Sequence, residues 1–276
     1  MISAKTLGLS CSVQAICQQH NISRQAYYKK CQRQRRRHDQ DEEVLHLVRT
    51  IRHRQPMVGT RKLHRMLSER SPLGRDRLFA LLRTAGLLVH RKRQYARTTN
   101  STHRFRTYTN IVKDLQLTRP EQVFMADITY VATHTGFSYL ALLTDAFSRK
   151  IVGYDVSTSL SIEGSLRALR MALKTVKHPE RLIHHSDRGF QYCSHAYVKL
   201  LQDHNTSISM AAKGDVYENA LAERVNGILK TEFLLDRQFP SHQDVVAAVR
   251  EAVTIYNKER LHMSIGYLTP ELKHAA

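Results

Sequence analysis

The chain has 276 residues, a net charge of +19 at neutral pH, a sequence pI near 10.1 and four cysteines. That length allows a large core and more than one domain. No run of eighteen apolar residues and no leader-like N-terminus argue for a membrane span or for export, so the expected compartment is the cytoplasm.

The charge is confined. Residues 1–120 hold 26 Lys/Arg against 7 Asp/Glu, whereas residues 121–276 hold 17 of each. A basic N-terminal part joined to a neutral core predicts a DNA-binding region attached to a second functional body. Cys11, Cys17, Cys31 and Cys193 lack zinc-ligand spacing and read as reduced thiols.

In chain order, residues 13–31 read as helix, short turn, helix, with Ser23 as N-cap of the second helix. This is a helix-turn-helix pattern that offers Arg24, Gln25, Lys29 and Lys30 to DNA. The run Arg33–Arg37 reads as a solvated helix end or linker, closing a basic segment over 1–38. A second helical unit is expected over 39–90. Val44, Leu47, Val48 and Ile51 recur at helical spacing, Thr60 can cap a helix carrying Leu63, Met66 and Leu67, and Gly86 stops a helix carrying Leu78, Leu81 and Leu82. Arg61, Lys62, Arg65, Arg75 and Arg77 fall near the starts of the two later helices, where phosphate contacts are favoured. Residues 91–119 lack periodicity and read as a basic linker that orders on DNA.

From 120 the pattern changes. Strands over 122–133, 137–144 and 150–156, joined by short turns, predict an antiparallel meander. Helix 161–177, strand 181–186, helix 194–204, strand 206–211 and helix 219–235 follow. This β-β-β-α-β-α-β-α order is that of a ribonuclease H-like α/β core with a mixed five-stranded sheet, expected over 120–235. Residues 241–257 give one more helix, within a C-terminal part over 236–276 whose tail from 258 reads as largely loop.

Three acids stand where an acid is hard to explain structurally. Asp127 interrupts the apolar strand Val123–Val131, Asp187 ends the strand before Arg188 and Gly189, and Glu223 lies on a helix that carries Lys230 two turns later. Buried unpaired carboxylates cost several kcal/mol each, so three of them point to a shared divalent cation. An oxygen-only donor set suits Mg²⁺ or Mn²⁺, which serve phosphodiester chemistry. On a helix, Asn219, Glu223, Asn226 and Lys230 fall within about 60° of one another, with Leu221, Val225 and Ile228 opposite. Asp145 has two readings, a turn-capping carboxylate or a fourth ligand. His185 likewise reads as a packed side chain or a proton carrier.

These residues resemble the DDE transposase and retroviral integrase superfamily, and within it the second-frame (OrfB-type) transposases of the bacterial Insertion Sequence 3 family. The matching text is Asp127–Tyr130, Asp145–Gly153, His185–Tyr192, Asn219–Glu232, Tyr256–His262 and Thr269-Pro270, spread over about 40–272 with 35 residues between Asp187 and Glu223. Phe124, Phe190, Arg224–Asn226 and Leu261 depart from the usual family residues. The resemblance implies that Asp127, Asp187 and Glu223 form the catalytic triad, that Lys230 contacts DNA near the cleaved phosphate, and that 39–90 is a DNA-binding domain. It also implies Mg²⁺ as cofactor with Mn²⁺ able to substitute, double-stranded DNA as substrate, a homo-oligomer on DNA, and an upstream first-frame partner or fusion. Two other functions stay open on sequence: a DNA-binding regulator or remnant with an inert core, and a nuclease that never joins strands.

Overall fold

The computed structural model describes residues 12–71, 73–89, 105–212 and 220–276. It divides into two units, Met1–Ile51 with Leu63–Leu88, and Arg52–Lys62 with Val89–Ala276.

The first unit is helical. Helix α1 (Val13–Gln19) is capped by the Ser12 hydroxyl, which accepts from the Ala15 amide at 3.2 Å. A turn through Asn21, at φ 51°, leads to Ser23, whose hydroxyl accepts from the Ala26 amide at 3.1 Å as the expected N-cap. Helix α2 then runs unbroken from Arg24 to Arg54, so the boundary expected at 38 and 39 falls inside one helix. Arg33–Arg37 are exposed in its middle rather than at an end. The reason is local: residues 24–54 contain neither Gly nor Pro and are rich in Arg, Gln, Lys, Glu and Leu. The helix stops just ahead of Pro56, because the residue before proline disfavours the α conformation. Only from Val44 onward does α2 bury a face, through Val44, Leu45 and Val48. Helices α3 (Thr60–Leu67) and α4 (Arg75–Thr84) bury Leu63, Leu67, Leu78 and Leu82. Gly86 sits at φ 67°, and the Leu87 amide reaches back to the Leu82 carbonyl at 2.7 Å, the helix stop that the sequence predicts.

The second unit carries a mixed five-stranded sheet. Strands β1 (Val123–Thr133), β2 (Gly136–Asp145) and β3 (Ile151–Ser157) form the antiparallel meander, and β4 (Ile183–Ser186) and β5 (Ser207–Met210) add in parallel, in the order β3-β2-β1-β4-β5. Helix α5 (Ile162–Leu173), the short α6 (Phe190–Cys193) and α7 (His195–Asp203) connect the later strands. Helices α8 (Ala220–Glu232), α9 (His242–Lys258) and α10 (Pro270–Ala275) complete the unit. This is the expected ribonuclease H-like core.

Alternation along the strands sorts the two faces. Phe124, Ala126, Ala141 and Leu143 pack with Leu166 and Leu169 of α5 and Tyr197 and Leu201 of α7. Val131, Leu140 and Leu142 pack on the other face with Val225, Ile228 and Leu229 of α8 and Val245, Val249 and Tyr256 of α9. Since α9 shares one apolar cluster with β1 and α8, residue 235 marks no break in packing.

Two further expectations change. Residues 105–119 are no free linker: Tyr108 packs on the α5 side of the core, Val112 and Leu117 pack near Val123 and Met125, and the Ile111 amide donates to Ser209 Oγ at 3.0 Å. A few apolar anchors suffice to hold such a coil, and they leave no period to read. The tail from 258 is likewise ordered. Arg260 and His262 are buried, and Thr269 caps α10 with Pro270 in its first turn. Part of the linker, residues 91–104, lies outside the described residues.

Candidate active site

Strand register brings the first two acids together. Ala126 of β1 pairs with Ser186 of the parallel strand β4, and Asp127 and Asp187 are the next residue on each. Neighbours in parallel strands point to the same face, so the two carboxylates emerge side by side where β4 ends. Asp127 lies in phase with Met125 and Val131, which places it on the face covered by α8. The loop after β4 fixes its partner, since Asp187 Oδ1 accepts from the Gly189 amide at 2.8 Å.

The acids are less deeply placed than the sequence predicts. Asp127 and Asp187 are half-buried, and Glu223, in the first turn of α8, is exposed. Nor is Asp127 unpaired: its Oδ1 accepts from the Ile128 amide at 2.9 Å and its Oδ2 from Asn226 Nδ2 at 2.7 Å. Even so, burial, then the neighbouring Asp187 charge, and more weakly Glu223, push its carboxyl up to about 7 against those two hydrogen bonds. Carboxylate oxygens whose charge is opposed by burial and by each other are stabilised by a neighbouring cation, and an oxygen-only pair of this kind suits a hard divalent ion. Among the described residues no three His, Cys, Asp or Glu side chains converge into a closed cage. The Asp127–Asp187 side therefore fits a divalent cation as it stands, whereas Glu223 still faces solvent.

Helix α8 presents Asn226 and Lys230 to β1 one turn apart. Glu223 is followed by Asn226, 5% exposed, and then by Lys230, whose ammonium lies 4.6 Å from the Tyr130 ring centre. Burial lowers the Lys230 pKa, and the Asp127 and Asp236 charges oppose that shift. Asn219, expected on the same stripe, lies outside the described residues. Asn226 is the residue that sequence reasoning passed over. It was visible both on the polar stripe and as a departure from the family text.

Asp145 is not a fourth ligand. It pairs with Phe124, so it points to the sheet face opposite Asp127 and sits about 10 Å further along the ladder. Its Oδ1 accepts from the Ser148 amide at 2.6 Å and the Ser148 hydroxyl at 2.7 Å, and its Oδ2 from the Glu121 amide at 2.7 Å. Burial alone would raise its pKa, but hydrogen bonds from His274, Ser148 and the Glu121 amide outweigh that and hold it low. This is the turn-capping carboxylate. His185 is fully buried, with Nδ1 2.9 Å from Ser209 Oγ, in a packing position.

The expected DNA-binding cations separate into three groups. Arg24, Arg61 and Arg65 are exposed, and the last two lie one turn apart on α3. Arg75 and Arg77 are exposed but pair with Asp76 at 2.9 Å and Asp41 at 2.8 Å, weak bonds that DNA can replace. Lys62 is not available. Its ammonium lies 2.9 and 3.1 Å from the Glu232 oxygens, which also receive Arg260 bidentately at 2.8 Å, and its side chain is 12% exposed. Burial, then Arg260, lower the Lys62 pKa to about 8. Counting basic residues near helix starts cannot reveal a half-buried acid 170 residues away.

The integrase core domain family matches residues 118–216, and a second family of the same description matches 204–270. The insertion element IS600 uncharacterized 31 kDa protein of Shigella sonnei is 36% identical over 260 residues, covering 92% of this chain and 96% of that protein. Transposase InsF for insertion sequence IS3A of Escherichia coli is 32% identical over 267 residues, covering 94% of this chain and 93% of that protein. The transposase for insertion sequence element IS629 of Shigella sonnei is 33% identical over 267 residues, with 92% and 88% covered. By sequence along nearly its whole length, and by the integrase core it folds into, this chain belongs to the Insertion Sequence 3 family of transposases.

Proposed function

We propose that the protein is a DDE-type polynucleotidyl transferase that moves its own insertion element. It hydrolyses a phosphodiester at each element end and joins the freed 3′-hydroxyl to target DNA. The observation that carries this reading is the pair Asp127 and Asp187, set side by side where β4 ends against the interior of the parallel strand β1, with Glu223 on the helix that covers that face. A scaffold without chemistry gains nothing from that repulsion, which argues against the regulator or remnant reading.

Bound Mg²⁺, with Mn²⁺ able to replace it, supplies activation of the attacking oxygen and stabilisation of the leaving oxygen. Asp127, Asp187 and Glu223 would hold the ions, and hydrolysis and joining would differ only in whether the attacking oxygen belongs to water or to a 3′-hydroxyl. In hydrolysis the water oxygen bonds to phosphorus as the bond from phosphorus to the element's 3′-oxygen breaks, which frees that 3′-hydroxyl and leaves the phosphate on the 5′ end of the flanking strand. In joining, the 3′-oxygen bonds to a target phosphorus and the target's own 3′-oxygen leaves. Lys230, held against Tyr130 beside Asp127, orients the scissile phosphate. Arg24, Arg61 and Arg65 contact phosphates of the double-stranded element ends.

The protein works as a homo-oligomer on DNA, alone or with an upstream first-frame protein or as a fusion to it, in the bacterial cytoplasm. No helix of the described residues is long and apolar enough to cross a membrane. The test is cleavage and joining of end-containing oligonucleotides by Asp127→Asn, Asp187→Asn and Glu223→Gln. Each variant is expected to lose both reactions, by at least a thousandfold, and to keep DNA binding. Wild-type joining by any one of them in Mg²⁺ removes that residue from the triad.

A further inference from the structure

Asn226 is a buried amide with one end engaged and one end free. Its Nδ2 donates to Asp127 Oδ2 at 2.7 Å, while its Oδ1, equally buried, has no hydrogen-bond partner among the described residues. The two ends are not interchangeable. A carbonyl oxygen turned toward an ionised Asp127 would set two acceptors 2.7 Å apart, so the amino group faces the carboxylate and the carbonyl faces away. A buried acceptor left unpaired is unfavourable, and natural proteins keep few of them. Packing alone does not account for the residue either, since its neighbours on α8, Val225, Ile228 and Leu229, are all apolar and belong to the core cluster.

The hydrogen bond has a geometric consequence for Asp127. With Ile128 holding one carboxylate oxygen and Asn226 the other, the plane of the group is fixed from two directions. The remaining lone pairs can then meet a cation without a rotamer search. A hard divalent ion that keeps several of its waters offers O–H donors at short range, which is what the free Asn226 carbonyl lacks.

We propose that Asn226 is a positioning residue of the carboxylate site: its amino group orients Asp127 toward the divalent cation, and its carbonyl accepts a hydrogen bond from a water that the cation carries. The inference rests on the reading of Asp127 and Asp187 as cation-holding acids, and goes beyond it by assigning a residue outside the three acids. Partners of this kind typically change metal affinity by about 10–100-fold when removed.

The test measures Mn²⁺ binding to the full chain by the loss of the free-ion paramagnetic resonance signal, at pH 8 and without DNA. Asn226→Leu keeps the volume and removes both hydrogen bonds. Asn226→Ala is the second variant should the leucine not fold, with circular dichroism and calorimetry establishing the folded fraction. The expected result is about tenfold weaker Mn²⁺ binding in folded Asn226→Leu or Asn226→Ala, with joining that recovers as Mn²⁺ is raised. Asp127→Asn loses binding altogether. Unchanged Mn²⁺ affinity in a folded Asn226 variant, with Asp127→Asn still defective, overturns the role of Asn226 and leaves the acid site standing. A joining defect that persists at saturating Mn²⁺ with wild-type affinity marks a purely structural residue and overturns it as well. Failure of the wild-type chain to bind Mn²⁺ overturns both readings.

Discussion

The Asp127 carboxylate should destabilise the metal-free fold, and by a predictable amount. Its pKa stands at about 7 in the folded protein against 3.8 for an ordinary aspartate, because burial and the neighbouring Asp187 both oppose ionisation. Below pH 4 the side chain is protonated in both folded and unfolded chains and has no effect. As pH rises from about 4 to about 7, the unfolded chain gives up the proton while the folded site retains it, so stability falls by about 1.4 kcal/mol per pH unit. Above pH 7 the penalty levels off at about 4 kcal/mol. Asp127→Asn is nearly isosteric, keeps an acceptor for Asn226, and carries no charge at any pH, so it should remove that penalty. Calorimetry in EDTA at pH 8 should show the variant melting on the order of 10 °C above wild type, at about 2–4 °C per kcal/mol for a unit of this size. By pH 5 the advantage should shrink to about two-fifths of its pH 8 value. Mg²⁺ should then raise the melting temperature of the wild type and leave the variant unmoved. A variant no more stable than wild type at pH 8, or an advantage independent of pH, would refute the electrostatic account of the site.

Three other substitutions probe the rest of the molecule. Glu232→Gln leaves Lys62 and Arg260 buried without a counter-charge and should destabilise the protein by about 3–5 kcal/mol in chemical unfolding. Burial alone would raise the Glu232 pKa, but Arg260 and Lys62 hold it down to about 2. Its contribution is therefore present above pH 4.5 and lost as pH falls toward 2, so an acid transition identical in wild type and Glu232→Gln would contradict it. Arg61→Ala combined with Arg65→Ala should lower the slope of log affinity against log salt by about two; an unchanged slope would remove α3 from the DNA contact. Lys230→Ala should slow joining at saturating DNA while changing total affinity little, because one phosphate contact among many adds little to binding but much to orientation. Equal joining rates would return Lys230 to the surface.

The sheet and its order were legible because alternation and turn chemistry act over a few residues. Gly136, at φ 134°, and Gly86, at φ 67°, stand where the sequence asks for a turn and a helix stop. The places of the two aspartates were legible for the same reason, since an acid inside an apolar strand, as at Asp127, or directly at the end of one, as at Asp187, contradicts its surroundings. What escaped depends on partners distant in sequence. The fate of Lys62 is set by Glu232 and Arg260, the pairing of Asn226 by Asp127, and the docking of 105–119 by Ser209 and three apolar anchors. The continuity of α2 was missed for the opposite reason. Its first half lacks an apolar stripe and is helical through composition alone, which periodicity does not detect.

Helix α8 draws these threads to one element. Its first turn carries Glu223, its middle Asn226, its last turn Lys230, and its last residue, Glu232, is fixed three ways. The Glu232 carbonyl accepts from the Met57 amide at 3.2 Å, and its carboxylate takes both Lys62 and Arg260. Nine residues of helix span about 14 Å, a distance over which a packed helix transmits position with little give. Anchoring the far end in a partly buried ionic network therefore sets where Asn226 and Lys230 meet β1, while Glu223 stays exposed in the first turn. Strand register and the loop after β4 place the two aspartates, so the site rests on two separate supports, the sheet and the anchored end of α8.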